Sequence, residues 1–431
     1  MSNATQSRPW LEALLQVLAQ RAGHSATQWP SARDWCWPTR RSETWRFTDL
    51  RCLTQLDPVR LHTRTASPRW PDASILLPSD PVSGKQLPAR HVFLQLDGRG
   101  HWLSPQGELP TWPRGLVPLP TEEIIPGQVA QTVIPSGTLP LGAQLNGVTP
   151  SPALGLQVSG PDPIHLELAI QVEQAQAWLA PHLLLVLQPG AHLCLSWHVV
   201  ATAQAAVMPM VEARLGLAAQ LEEATTAWGY PGATFLGSSF MDQSPRSIYR
   251  RTNVTWGWGL SRDEPFVRQS QGQAETCLHG LAVARGQSLL DTHSTVTFDG
   301  PGGQLRQRHQ ALADDRGHSV FNGRVVVPRV AQQTDASQLS RNLLLSTSAR
   351  IDTKPQLEIV ADNVQCNHGA TISCLQDDEL FYLQSRGIGR DQASRLLQRG
   401  FCEEILQQLP KTALAWPSLQ RLLEIPVPDQ P

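Results

Sequence analysis

The sequence carries little charge and no surplus of either sign. Lysine and arginine total 35 and aspartate and glutamate total 37 in 431 residues, which gives a formal net charge of -2. Proteins that bind nucleic acid or an anionic membrane through electrostatics carry a basic surplus on the binding face. The charge balance therefore argues against both nucleic acid and the membrane surface as partners.

Long hydrophobic runs are also missing. The longest apolar run, residues 183–187, is far shorter than the roughly 20 residues that a membrane-spanning helix needs. Residues 3–8 are polar and residues 10–19 have the pattern of an amphipathic helix, so we expect no signal peptide. The sequence predicts a cytoplasmic protein.

The seven cysteines lie far apart and form no CxxC pair. Their number is odd and their spacing is irregular, which is typical neither of a disulfide framework nor of a zinc finger. A reduced compartment fits this usage. The cysteines are Cys36, Cys52, Cys194, Cys277, Cys366, Cys374 and Cys402.

The chain has three successive regions that differ in composition and hydrophobic pattern. Residues 8–22 have helical spacing of Trp and Leu, and a stretch broken by Pro and Gly follows. From about residue 164, short runs rich in Val, Leu, Thr and Trp are bounded by turn residues, which predicts a large β body. We divide the chain into an N-terminal helical and irregular domain (1–130), a β core (131–375) and a C-terminal helical domain (376–431).

The residues leave two architectures open for the β body. Short strands with turns favour a sandwich or barrel, and Asn322-Gly323 is a two-residue hairpin signal. Small polar residues within a run, as in residues 291–295 (DTHST), favour the stacked turns of a parallel β-helix instead. No sharp repeat period is visible, so local rules do not decide between them.

Two surface features have both a structural and a binding interpretation. Residues 43–48 (ETWRFT) are either a docking surface or a turn that packs its aromatics, and we favour the packed turn. After residue 376, Asp377 or Asp378 is expected to cap one helix and Asp391 a second. The second helix carries an apolar stripe that needs cover, from the β body or from a partner. The stripe comprises Ala393, Leu396, Leu397, Phe401, Ile405 and Leu409.

Cys366 and His368 are the sharpest candidate site. They are two residues apart in a strand pattern, so both side chains should lie on one face. As metal ligands they supply two donors, whereas zinc takes four or three plus water. His293, His309 or His318 could complete the set in three dimensions. The plainer interpretation is a buried thiol beside a hydrogen-bonding imidazole.

Other catalytic patterns are weak. Asp314-Asp315 and Asp377-Asp378 are adjacent pairs, so their carboxylates diverge on a strand and are more typical of turns and helix caps. The sequence has no Walker A motif and no GxGxxG after a strand. We therefore expect neither ATP nor a dinucleotide to bind by the usual motifs.

The region around Cys366 resembles the SufD branch of the SufB/SufD family, subunits of the SufBCD iron–sulfur cluster assembly scaffold. The likeness is dense and ordered from about residue 290 to 410, and weak between about 55 and 285. Residues 43–48 resemble the family's N-terminal signature. The motifs that carry it are 319–323 (SVFNG), 342–346 (NLLLS), 352–359 (DTKPQLEI), 361–364 (ADNV), 366–371 (CNHGAT) and 380–388 (LFYLQSRGI).

The resemblance implies a right-handed parallel β-helix flanked by N- and C-terminal helical domains, with Asn322-Gly323 at a corner. It implies pairing with the paralogue SufB through the end of the β-helix and docking of one SufC ATPase on the C-terminal helices. A homodimer of the isolated chain stays open. The residues expected at the ATPase are Leu380, Phe381, Leu383, Arg386, Leu396 and Phe401.

The resemblance also places His368 at the interface with the paralogue, with Cys366 as its neighbour. No permanent cofactor is implied, only transient iron or an Fe–S cluster shared between the two subunits. Cys374, where the family often has glycine, is an additional thiol whose role stays open. We expect a non-catalytic scaffold subunit, not an enzyme. The alternatives are a β-helix enzyme that acts on polysaccharide and an interaction protein without metal chemistry.

Overall fold

Strands dominate the protein, and helices flank them at both ends of the chain. The computed structural model describes residues 3–21, 37–39, 41–68, 70, 90–134, 138–150 and 153–423. Cys36 lies outside the described residues. None of the helices in these ranges is both long enough and apolar enough to cross a membrane.

Two long sheets stack their strands in nearly alternating order along the chain. The first sheet holds, in spatial order, β2 (Trp102–Leu103), β1 (His91–Leu96), β5 (Ile164–Val172), β8 (His192–Ala201), β11 (Gln220–Gly229), β13 (Ile248–Trp256), β15 (Glu275–Ala284), β17 (Gln304–Ala313), β19 (Asp335–Leu344) and β21 (Gln365–Cys374). The second holds, in spatial order, β20 (Arg350–Ile359), β18 (His318–Val327), β16 (Leu289–Phe298), β14 (Leu260–Gln269), β12 (Thr234–Gln243), β10 (Met210–Leu215), β7 (His182–Leu187), β4 (Ala153–Val158) and β3 (Leu116–Pro118). In addition, β9 (Ala205–Val207) pairs with β12, and β6 (Ala177–Leu179) pairs with β9.

The pairing is parallel and in register, and this makes a β-solenoid of about eight turns. Register partners such as Gln304, Asp335 and Gln365 recur about every 30 residues. Side chains alternate between the bore and the outer face, and the bore is filled mostly by aliphatic residues such as Leu305 and Val325. The parallel β-helix expectation is confirmed, and the sandwich and barrel alternatives are wrong.

Two local predictions fail inside the solenoid. Asn322-Gly323 lies in the middle of β18 and forms neither a hairpin nor a corner. Glycine suits position 323 because a Cβ there would collide with the Gln338 amide and crowd the Phe321 ring in the bore. Pro355 lies within β20, although proline is rare inside sheets. β20 ends its sheet, and an edge strand tolerates proline because the ladder on its open side is not formed.

The N-terminal residues pack on the second sheet. Helices α1 (Asn3–Arg21), α2 (Arg51–Thr54), α3 (Gln128–Val133) and α4 (Leu141–Val148) lie in this part of the chain, and 3-10 turns lie at Glu43–Trp45, Pro58–Arg60 and Thr121–Glu123. Trp45 is buried beneath the guanidinium of Arg262, 4.0 Å from the ring centroid. Thr48 Oγ1 donates to Asp291 Oδ2 at 2.5 Å. Residues 43–48 are therefore a packed turn, with the sheet as their support.

The C-terminal helices pack on part of the outer face of the first sheet. They are α5 (Asp377–Gln384), α6 (Arg390–Leu406), α7 (Lys411–Leu414) and α8 (Pro417–Leu423). Ile405 and Leu406 pack against Leu281 and Leu312, so the β body covers much of the apolar stripe. The expected caps are wrong: Gln376 and Gly389 precede α5 and α6. Asp377 lies in the first turn instead, where its charge favours the helix dipole.

The two ends of the solenoid differ. At the first end, β2 and β3 pair antiparallel on β1 and β4, and inward side chains such as Leu94 and Leu156 are fully buried. At the other end, neither β20 nor β21 contains a buried residue. This second end is called the open end below, and the first end is called the closed end.

Candidate functional site

The open end presents two unpaired strand edges and the mouth of the bore. Within the part of the chain that the structure describes, β20 pairs only with β18, and β21 pairs only with β19. Half-buried apolar side chains such as Ile351, Leu357 and Val364 pack on the core from this end. Sheet edges of this kind are ready to pair with another chain.

Cys366 and His368 lie on β21, on the side that faces the bore. Their register partners are Ala336 and Gln338, both buried in the bore. Two positions along a strand place their Cα atoms roughly 6.6 Å apart. Cys366 is half-buried and His368 is exposed, so the imidazole is the more accessible donor of the two. The predicted shared face is confirmed by this register.

The thiol of Cys366 is held protonated. Burial raises its pKa above the ordinary value, and the nearby Asp335 carboxylate raises it further, against a lowering by the backbone of Ala336. A thiolate is the form that binds metal. An incoming cation must therefore displace a proton from Cys366, and metal binding there is coupled to proton release.

A chain of polar side chains runs through the bore behind His368. Gln338 Nε2 donates to Gln307 Oε1 at 2.8 Å, and Gln307 Nε2 donates to Ser294 Oγ at 2.6 Å. Gln338 Oε1 is buried and accepts no hydrogen bond from the described residues. A polar acceptor therefore lies directly behind His368 in the register.

The other candidate ligands lie elsewhere. His309 is buried in the bore and stacks on Phe321 at 4.5 Å between ring centroids. His318 bonds Asp352 at 2.7 Å and His293 bonds Asp291 at 3.0 Å, both on the outer face of the second sheet. Within the described ranges, no third His, Cys, Asp or Glu joins Cys366 and His368 closely enough to share one ion.

Cys374 is too far from His368 to share its site. It is exposed at the last position of β21, and six residues of extended strand span roughly 20 Å. The site that this chain offers at the open end is therefore a pair of donors, Cys366 and His368.

A second exposed surface lies on the C-terminal helices. Phe381, Tyr382 and Leu396 are 71%, 56% and 47% exposed, respectively. The guanidinium of Arg386 lies 4.4 Å from the centroid of the Tyr382 ring. These four residues are called the helix patch. Large exposed apolar side chains that cluster with an arginine are typical of protein interfaces.

Only half of the residues expected at the ATPase lie in this patch. Phe381, Arg386 and Leu396 are exposed, whereas Leu380 is buried and Leu383 and Phe401 are half-buried. Tyr382 is not among the residues expected at the ATPase. Its exposure could have been predicted from the sequence, because α5 is short and Leu380 is its one buried residue.

The bore also contains a buried ionic cluster that local patterns did not predict. Arg251 donates to both oxygens of Asp263 at 2.7 and 2.8 Å, and its Nε lies 3.5 Å from Glu223. Tyr249 donates to Glu223 at 2.6 Å. These residues come from three strands, so no spacing in the sequence connects them.

Comparison with known proteins supports the likeness found in the sequence. The family model described as SUF system FeS cluster assembly, SufBD core domain, matches residues 170–401. The chain is 37% identical over 262 residues to an iron–sulfur cluster assembly SufBD family protein of Synechocystis sp., which covers 58% of each chain.

Two further relatives match over shorter stretches. Protein ABCI7, chloroplastic, of Arabidopsis thaliana is 40% identical over 173 residues, which covers 40% of this chain and 36% of the relative. The iron–sulfur cluster assembly protein SufD of Escherichia coli is 36% identical over 155 residues, 36% of this chain and 37% of that protein. The chain thus spans between about a third and three fifths of the length of these relatives.

Proposed function

The chain belongs to the SufB/SufD family, and we propose that it is a cytoplasmic, non-catalytic scaffold subunit for iron–sulfur cluster assembly, of the SufD type. In this role it pairs through its open end with a SufB-type paralogue and carries a SufC-type ATPase on its C-terminal helices. The observation that carries the proposal is the open end, where Cys366 and His368 lie at an unpaired strand edge.

Pairing at the open end follows from the two free strand edges. An edge strand can accept a strand of another chain, and main-chain hydrogen bonds then provide much of the affinity. The half-buried Ile351 and Leu357 would lose their remaining exposure in such a complex. A paralogue with the same solenoid would continue both sheets across the interface.

The chemistry of the open end suits iron as cargo. Imidazole and thiolate are both ligands of iron and of Fe–S clusters. Cys366 and His368 supply two donors, and an iron ion or a cluster needs more. The partner subunit would provide the others, so the cluster would assemble only when the two chains meet.

The helix patch is the proposed ATPase contact. Phe381 and Leu396 are exposed although both are large and apolar, which is costly unless a partner covers them. α6 packs on the first sheet through Ile405 and Leu406. Movement of a bound ATPase would therefore be transmitted to the solenoid. The separation of residues 376–431 as a docking domain is part of this proposal.

The test is anaerobic co-expression of the chain with its SufB-type and SufC-type partners, followed by reconstitution with iron and sulfide. We expect His368→Ala to keep the complex intact and to lower cluster assembly by at least about tenfold, as loss of a metal donor does. His101→Ala is the matched control, because His101 is 63% exposed and lies near β2 at the opposite end.

Three results would count against the proposal. A full yield of cluster with His368→Ala would remove His368 from the mechanism. A complex without iron would point to an interaction protein without metal chemistry. Failure of either partner to co-purify with the wild-type chain would refute the scaffold role itself.

A further inference from the structure

A second group of metal-binding side chains lies far from the open end, on the outer face of the first sheet. His192 and Cys194 are two residues apart on β8, and Glu222 is the register partner of Cys194 on β11. β8 is six strands from β21 in the sheet order, which is roughly 29 Å at the usual strand spacing. This group is therefore independent of Cys366 and His368.

The solenoid geometry explains why the three side chains meet. Alternation along β8 turns both His192 and Cys194 outward. In-register parallel pairing places Glu222 directly beside Cys194, because neighbouring strands lie about 4.8 Å apart. The second condition is not visible in the sequence, where Cys194 and Glu222 are separated by a whole turn.

The donor atoms are spaced as ligands of one ion would be. Cys194 Sγ lies 3.8 Å from His192 Nε2 and 4.0 Å from Glu222 Oε2, and His192 Nε2 lies 3.7 Å from Glu222 Oε1. Tetrahedral zinc with bonds of 2.0–2.3 Å has ligand-to-ligand edges of roughly 3.3–3.8 Å. Small rotations of the side chains would close the site around an ion.

A further histidine lies on the preceding turn, outside this group. His165 on β5 is the register partner of Cys194 on its other side, and its ring lies 4.4 Å from that of His91 between centroids. Its nitrogens are not within ligand spacing of the other three donors. The fourth position of a tetrahedral ion would therefore be open to water, as in zinc sites with three protein ligands.

The surroundings favour an added cation. The neighbouring Arg250 forms an ion pair with Glu275 at 2.9 Å, so Glu222 is not its principal partner. The Glu222 carboxylate lies 4.0 Å from the Cys194 sulfur, and a divalent cation bound between them would neutralise its charge.

We propose that His192, Cys194 and Glu222 form a binding site for a divalent cation of the zinc type, with water in the fourth position. The donor set of imidazole, thiolate and carboxylate is the one that zinc takes in proteins. On binding, the Cys194 S–H bond breaks, the sulfur lone pair bonds the metal, and the proton leaves to solvent. The site would hold two turns of the solenoid together.

The test is a titration of the metal-stripped full-length chain with Co²⁺, a spectroscopic substitute for Zn²⁺. We expect one equivalent to bind with a thiolate-to-cobalt charge-transfer band in the near ultraviolet, and Zn²⁺ to displace it. The band should vanish in Cys194→Ser. Cys277→Ser and Cys366→Ser should retain it; Cys277 is a matched control on the same outer face, and Cys366 reports on the open end.

A second readout covers variants that fold poorly. We expect Zn²⁺ to raise the thermal midpoint of the wild-type chain, and Glu222→Gln and His192→Gln to weaken its binding by at least about tenfold. Glu222 is about half exposed, so its variant should fold normally. The proposal is overturned if the cobalt band survives Cys194→Ser, if Cys366→Ser abolishes it, or if neither metal changes the spectrum or the midpoint.

Discussion

Arg251 is the single cation of a buried ionic cluster, and this makes it critical for stability. Its side chain is 5% exposed, and those of Asp263 and Glu223 are 2% and 1% exposed. Removing the guanidinium would leave two carboxylates in the bore without a counter-ion. We expect Arg251→Ala to lower the free energy of unfolding by about 3–5 kcal/mol, measured from the urea midpoint.

The adjacent Arg250 is the matched control for this prediction. It faces outward and its ion pair with Glu275 is about 40% exposed on both sides. Solvent screens such a pair, so Arg250→Ala should change the free energy of unfolding by about 0–1 kcal/mol. An equal decrease in the free energy of unfolding in the two variants would show that burial does not make the Arg251 cluster more important for stability than an exposed ion pair.

His309 should make the protein sensitive to acid. Its pKa is lowered to about 4 by burial in the bore, against a small opposing effect of Asp291. The unfolded chain takes up a proton near the ordinary pKa of 6.5, whereas the folded chain does not until about pH 4. The contribution of His309 to the free energy of unfolding is therefore fully present above pH 6.5. It declines as the pH falls towards 4 and stays constant below pH 4.

Replacement of His309 by leucine tests this dependence. We expect the wild-type chain to lose about 3 kcal/mol through this residue between pH 6.5 and 4, and His309→Leu to lose correspondingly less over the same interval. Urea midpoints at several pH values measure the difference. Parallel pH profiles of the two proteins would contradict the assignment.

At the scale of elements, α5 and α6 each expose one set of residues, proposed to bind the ATPase, and bury another set that stabilises the fold. Phe381 and Leu396 point to solvent, whereas Leu380 and Ile405 are buried. Phe381→Glu should therefore weaken ATPase binding by at least about tenfold, with a change in unfolding free energy within about 0.5 kcal/mol. Pull-down at graded ATPase concentrations, with thermal melts, measures both quantities.

Val330→Glu is the control for the helix patch. Val330 is 62% exposed and lies after β18, away from α5 and α6. It carries the same added charge without touching the patch. Unchanged ATPase binding in Phe381→Glu would remove the helix patch as the docking surface.

At the scale of the whole molecule, the difference between the two ends is the basis of the proposed pairing with a paralogue. Ile372 on β21 is 49% exposed at the open end, and Val117 on β3 is 53% exposed at the closed end. A lysine at Ile372 would have to be desolvated in an interface without a partner charge. We expect Ile372→Lys to weaken association with the paralogue by at least about tenfold.

Val117→Lys should leave that association unchanged, because it places the same charge at the other end of the solenoid. Analytical size-exclusion chromatography of the mixed chains measures both variants, and the same runs show whether the isolated chain forms a homodimer. If only Val117→Lys weakened association, the result would indicate that the interface lies at the closed end.

The sequence by itself determined the features that depend on neighbours along the chain. The alternation in residues 364–368 placed Cys366 and His368 on one face, and helical spacing marked α6 and much of its buried stripe. The motifs around Cys366 indicated the family. Strand and helix periods are local properties, so they can be read without knowing what packs against what.

Only the tertiary structure decided which strands pair, because register partners lie about 30 residues apart and no local rule connects them. It placed Asn322-Gly323 inside a strand, since close packing by Gln338 outweighed turn propensity. It left the outer edge of β21 without a partner strand among the described residues, which makes Cys366 and His368 accessible. It also brought Cys194 beside Glu222. Stacking of successive turns, a non-local interaction, is the common physical reason.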